Sequence, residues 1–131
     1  MKIYTNERGP KWTKYYEDNA PKVLYHATGQ ITLMSPSNDE EKVNIHTPEE
    51  NLFVLVTFKK ILVEWFSLVS FQERVGDLFV KYTRTNDVPE RSELSVYRRS
   101  IHETQFHCVT NQSAEFIVAA LELIEAQRTR S

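Results

Sequence analysis

The sequence predicts an α+β fold in one domain over residues 1–131: a mostly antiparallel sheet packed against a long central helix and a C-terminal helix, in the rough order βββαβββα. Three features predict it. Thr47-Pro48-Glu49-Glu50 stands ahead of a long apolar run, two strand-forming segments flank Gly29-Gln30, and Ser113 opens a second amphipathic stretch. A chain of 131 residues, 40% apolar and 26% charged, suits one globular domain with one core.

Taken in order, residues 1–21 are polar and aromatic, broken by Gly9-Pro10 and Asn19-Ala20-Pro21, both turn signals. Between the breaks lies Lys11-Trp12-Thr13-Lys14-Tyr15-Tyr16, rich in strand formers. Val23–Ala27 and Ile31–Met34 read as a hairpin closed by a type II′ turn, because a glycine in the first central position suits that turn. This register puts Leu24, His26, Ile31 and Leu33 on one face and Val23, Tyr25, Ala27 and Met34 on the other. Both faces carry apolar groups, so the hairpin is expected to be covered on both sides.

Residues 35–41 are turn formers and charges, hence a loop, and Val43-Asn44-Ile45 makes a short strand. Thr47 is placed to cap a helix, with Pro48 where a missing N–H costs nothing. Glu49 and Glu50 face the positive end of the macrodipole, and Glu50 completes a capping box. Leu52, Leu55, Val56, Lys59, Leu62, Trp65, Phe66 and Val69 follow the helical period, and a helix this apolar all round is expected to be mostly buried. The helix is predicted to run to about residue 74, with Gly76 ending it and a strand from Leu78 to Thr85. Leu94–Ile101 and Gln105–Thr110 read as two pairing strands, with Tyr97, Arg99, Ile101, Phe106 and Cys108 on one face. Ser113 is placed to cap the last helix, whose buried stripe is Phe116, Ile117, Ala120, Leu123 and Ile124. The order hints at two unequal halves, each a set of strands followed by a helix.

Composition narrows the function. A net charge of −2 disfavours general coating of duplex DNA, which calls for a clear positive excess. The single cysteine, Cys108, permits no internal disulfide and favours a reducing compartment. The start lacks the apolar core of a signal peptide, and Lys59, Lys60 and Glu64 would be costly in mid-bilayer. A soluble, cytoplasmic protein is expected. With three glycines and no phosphate-loop, dinucleotide or nucleophile-elbow motif, the chain predicts no cofactor and no enzyme activity. His102, His107 and Cys108 lie close together but lack the paired spacing of a zinc site. Cys108 is expected to be a small buried hydrophobe rather than a nucleophile.

Two function classes follow. The first is a small protein-interaction module acting by surface occupation, of inhibitor, immunity or adaptor type and homodimeric, with Trp12, Tyr15, Tyr16 and Tyr25 as anchors because Trp and Tyr dominate interface energetics. The acidic stretch Asp39-Glu40-Glu41 would steer a basic partner. The alternative is a single-stranded nucleic-acid binder. Its aromatic residues would stack on bases while cations hold phosphate, using Lys11, Lys14, Tyr82, Arg84, Tyr97, Arg98 and Arg99.

Overall fold

The computed structural model describes residues 1–100 and 104–130. The first half is an antiparallel meander, β1 (Lys2–Asn6), β2 (Trp12–Tyr16), β3 (Lys22–His26), β4 (Ile31–Met34) and β5 (Lys42–Ile45), followed by α1 (Pro48–Val63). The second half is a four-stranded antiparallel meander, β6 (Ser70–Val75), β7 (Leu78–Thr85), β8 (Arg91–Arg98) and β9 (Phe106–Cys108), followed by α2 (Asn111–Arg128). The fold is α+β, with two sheets where the sequence suggested one, and each half is a meander with a helix behind it.

The helices are exchanged between the halves. α1 leaves the five-stranded sheet and packs on β6 and β7, while α2 leaves the four-stranded sheet and packs on β3. The two helices run antiparallel against each other: Asn51 Nδ2 donates to Glu125 Oε1 at 2.5 Å, and Lys59 pairs with Glu122 at 3.3 Å. The sheets adjoin where β5 meets β8 and β4 meets β9. One core joins both sheets and both helices. Tyr15, Val23, Leu33 and Val43 form a row across the first sheet, Val80, Val96 and Phe106 a row across the second, and Phe58, Ile61, Ile117 and Leu121 fill the space between.

The hairpin of β3 and β4 differs from expectation by one residue. Gly29 occupies the last position of a three-residue loop, Ala27-Thr28-Gly29, with φ +97°, its N–H bonded to His26 O and His26 N–H bonded to Gln30 O. A glycine in the left-handed region closes this loop type, and a one-residue slip turns every side chain to the opposite face. Val23, Tyr25, Ile31 and Leu33 therefore share the core face, and Leu24 and His26 face outward with Thr32 and Met34. The two-residue turn with a leading glycine sits instead at Gly76-Asp77, between Val75 and Leu78, where Gly76 has φ +56°.

α1 begins as predicted, with Glu50 N–H donating to Thr47 Oγ1 at 3.1 Å and Glu50 Oε1 accepting from His46 N–H at 2.8 Å. It ends about eleven residues short of the expected position, at Val63, where the Glu64 N–H closes a tight turn on Ile61 O. Ser70–Val75 has the strand period, with Phe71 and Val75 turned inward and Ser70, Gln72 and Arg74 outward. Its buried stripe is also rotated. Val54, Leu55, Phe58 and Ile61 are buried, whereas Leu52, Val56, Phe66 and Val69 are exposed. Apolar residues all round this helix leave its periodicity without a unique phase.

α2 starts three residues earlier than predicted, capped by Thr110 Oγ1 accepting from Ser113 N–H at 3.1 Å, and it exposes Leu123. In the hairpin of β8 and β9, Leu94, Val96, Phe106 and Cys108 face the core, while Tyr97 faces outward with Ser95 and His107. Ile101, expected on the Cys108 face, lies outside the described residues, as does His102. No helix among the described residues is long and apolar enough to cross a membrane.

Candidate interaction surfaces

Strand parity sorts the predicted site residues. Along a strand, neighbours point to opposite faces, so a consecutive aromatic and basic run divides between core and solvent. In β2, Tyr15 points inward and is fully buried, its hydroxyl accepting from Gln127 Nε2 at 3.0 Å, so it is a core residue and not an anchor. Tyr25 also faces inward, half-buried under the Arg128 guanidinium 5.4 Å from its ring. Trp12, Lys14 and Tyr16 remain on the outer face. There Tyr4 of the edge strand packs on Trp12 with ring centroids 5.8 Å apart, and Lys14 Nζ lies 4.7 Å from the Tyr16 centroid. Lys11 is exposed just before β2. The same face carries a polar ladder. Thr32 Oγ1 donates to Asn44 Oδ1 at 2.8 Å, which leaves His26 Nε2, 2.9 Å from Thr32 Oγ1, as the donor of that bond. Burial holds the His26 pKa below its ordinary value, which favours the neutral ring.

The second predicted set divides in the same way. Tyr82 is fully buried, edge-on to Trp65 at 5.0 Å, with its hydroxyl bonded to Trp65 O and Ser92 Oγ. Arg84 faces the same side and is held by Glu90 and Phe66 O. Arg98 is withdrawn furthest, with 3% of its side chain exposed. Its guanidinium makes a two-pronged bond to Glu50, at 2.6 and 3.0 Å, and further bonds to Asp77 at 2.8 Å and Asn44 O at 3.0 Å. None of these three is available to a phosphate. Tyr97 and Arg99 do reach the outer face of the second sheet.

The Arg98 cluster makes stability depend on acid. Burial pushes the Glu50 carboxyl up, but the Arg98 guanidinium and the His46 N–H outweigh it and hold the pKa below its ordinary 4.5. A hydrogen bond from Ser100 and the charge of Arg98 hold Asp77 below its ordinary 3.8. Both carboxylates are depressed in the folded state, so their stabilisation is complete above the ordinary values and is lost as pH falls through the lowered ones. The urea midpoint is expected to hold steady from about pH 7 to about pH 5 and to fall below about pH 4.5. A midpoint unchanged down to about pH 3 would show that the cluster is not carried as ion pairs.

Cys108 is buried, and burial pushes its thiol up to about 12, so it is protonated and unreactive at neutral pH. His107 lies 2.5 Å from Glu41 and 3.9 Å from Glu93. Among the described residues no group of three or more His, Cys, Asp or Glu is placed to hold a metal ion. The acidic Asp39 is engaged by Lys22 at 2.6 Å.

The most apolar exposed surface was hidden by the phase of α1. Leu52, Val56 and Val63 follow helical spacing on its solvent side, Phe66 and Val69 continue beyond its end, and Leu123 lies on the neighbouring helix. Val63 is 85% exposed and Phe66 75%. Two shallow grooves flank the second half of α1. One is lined by Leu62, Val118, Ala119 and Leu123, the other by Val63, Leu68 and Phe71. The cations on this surface are already neutralised, Lys59 by Glu122 and Lys60 by Glu73 at 3.9 Å. Lys59 and Lys60 themselves were the usable sequence signal, since two adjacent lysines mark the solvent side of a helix.

No family model, curated protein or solved structure matches this chain.

Proposed function

We propose that this protein is an interaction module that works by binding another protein chain through its two-helix face, without a chemical step, and that it pairs there with a second copy of itself. The observation that carries the reading is the run of exposed apolar side chains Leu52, Val56, Val63 and Phe66 beside Leu123. A helical face that exposes several large apolar side chains, with its lysines already ion-paired, is the usual mark of a protein-binding surface. A second copy presents the same apolar side chains, and a twofold axis that lays one patch on the other gives the self-complementarity an isologous interface requires, with Lys59 and Lys60 already paired to Glu122 and Glu73 within each chain.

Such a dimer leaves the outer face of the five-stranded sheet free. Trp12 and Tyr16 there are the anchors assigned to a further protein partner, in the surface-occupying manner of an inhibitor, immunity or adaptor protein. A cytoplasmic setting fits the single cysteine, which is free and buried.

Light scattering behind size exclusion tests the reading over a dilution series. The wild type is expected to elute as a dimer, and Val56→Lys as a folded monomer. A wild type that stays monomeric at about 100 μM, a concentration well above the dissociation constant of a typical stable pair, would sink it.

A further inference from the structure

We infer that the outer face of the four-stranded sheet is a binding site for single-stranded nucleic acid. The surface lies opposite the helical layer, so it stands apart from the dimer face and does not depend on it. Strand register builds it in rows. Arg74, Phe79 and Tyr97 form one row across β6, β7 and β8, and Gln72, Lys81, Ser95 and His107 form the next. Thr83 stands opposite Glu93, and Thr85 opposite Arg91.

Two observations carry the inference independently. The first is the segregation of charge. Arg74, Lys81, Arg91 and Arg99 gather here in a protein whose net charge is −2. None of the four makes an ion pair with a described carboxylate, although Lys22, Lys59, Lys60, Arg84, Arg98 and Arg128 all do. Four cations without a carboxylate partner, on a face to which the strands turn the one acidic residue Glu93, hold a local positive field there. The second is the ring arrangement. Phe79 and Tyr97 stack with centroids 5.2 Å apart and planes 6° from parallel, and the guanidinium groups of Arg74 and Arg99 each lie 5.9 Å from the Phe79 centroid. Phe79 is buried by this company, while Tyr97 keeps part of its ring open to solvent.

A stacked ring pair bracketed by guanidinium planes is a platform for an unpaired base, with cations placed for the phosphates on either side of it. Beside Tyr97 runs a polar groove lined by Lys81, Thr83, Glu93, Ser95 and Gln105. Its hydroxyl, amide and carboxylate groups offer both donors and acceptors to base edges, and Glu93 suits an exocyclic amino group. Duplex DNA hides those base faces. The single strand is the partner that uses both the rings and the charges.

The test is fluorescence anisotropy of labelled mixed-sequence single strands of ~12 nucleotides, RNA and DNA, at about 50 and about 200 mM salt. Binding is expected at the lower salt and about tenfold or more weaker at the higher, as release of counterions from two or three phosphates requires. Lys81→Glu, at an exposed position, should weaken binding and flatten the salt dependence. Tyr97→Leu should weaken binding about tenfold while leaving the salt slope unchanged, which a merely electrostatic surface would not do. Three outcomes would overturn the inference: no complex at low salt, equal affinity for the matching duplex, or a complex indifferent to both substitutions. Circular dichroism of each variant separates lost binding from lost folding.

Discussion

Arg98→Ala is expected to cost about 3–5 kcal/mol of stability, the largest effect of any single charge change in this protein. The size follows from what the substitution strands. The guanidinium is 3% exposed and bridges three parts of the fold: Glu50 at the start of α1, Asp77 in the turn between β6 and β7, and the Asn44 carbonyl on β5. Removing it leaves the Glu50 carboxylate, 15% exposed, buried without its counter-charge. Asp77 keeps 35% of its side chain in solvent, so its share of the pair is screened and contributes less. Urea unfolding of Arg98→Ala and of the double variant Arg98→Ala with Glu50→Gln measures the coupling. The double variant should recover part of the loss, because the stranded charge is gone. A loss below about 1 kcal/mol would place Arg98 among ordinary surface cations.

Phe58→Ala is expected to cost about 3–5 kcal/mol, and Phe66→Ala less than about 0.5 kcal/mol when measured on the monomer. Phe58 is fully buried and belongs to the cluster that joins both sheets to both helices, so truncation leaves a cavity the surroundings fill only in part. Phe66 stands 75% exposed past the end of α1. Its truncation should instead weaken self-association, visible as a dimer–monomer midpoint shifted to higher protein concentration. The two phenylalanines lie eight positions apart in one apolar run and are expected to act on different equilibria. If Phe66→Ala destabilises the fold as much as Phe58→Ala, the helical face is core that happens to lie near the surface.

What could be read from the sequence was whatever local chemistry decides. Thr47 and Glu50 cap α1 through atoms three residues apart, and the turn and strand formers of residues 11–34 give their strands without help from elsewhere. The errors lie where distant partners decide. Nothing near Ser70–Val75 distinguishes a helix from a strand until β7 is there to pair with it. The register of β3 and β4 turned on which loop position Gly29 takes. The Arg98 cluster joins residues 48 and 21 positions apart, which no short motif reveals. The basic and aromatic runs misled for a geometric reason. Lys81-Tyr82-Thr83-Arg84 reads as one patch, yet only Lys81 and Thr83 reach the outer face. Pairing across strands, as in Arg74, Phe79 and Tyr97, assembles the surface that the linear order scatters.

The exchange of helices between the two halves bears on how the chain is made. Synthesis delivers the five-stranded meander first, but the helix that covers it, α2 (Asn111–Arg128), follows all nine strands. Until that segment leaves the ribosome, Val23, Leu33 and the ring of Tyr15 have no α2 to close over them. Covering of the first sheet therefore has to follow synthesis of α2, unlike in proteins whose first half packs before the second emerges. The same arrangement would let two newly made chains trade α2, and expression at high concentration is where that exchange would be seen.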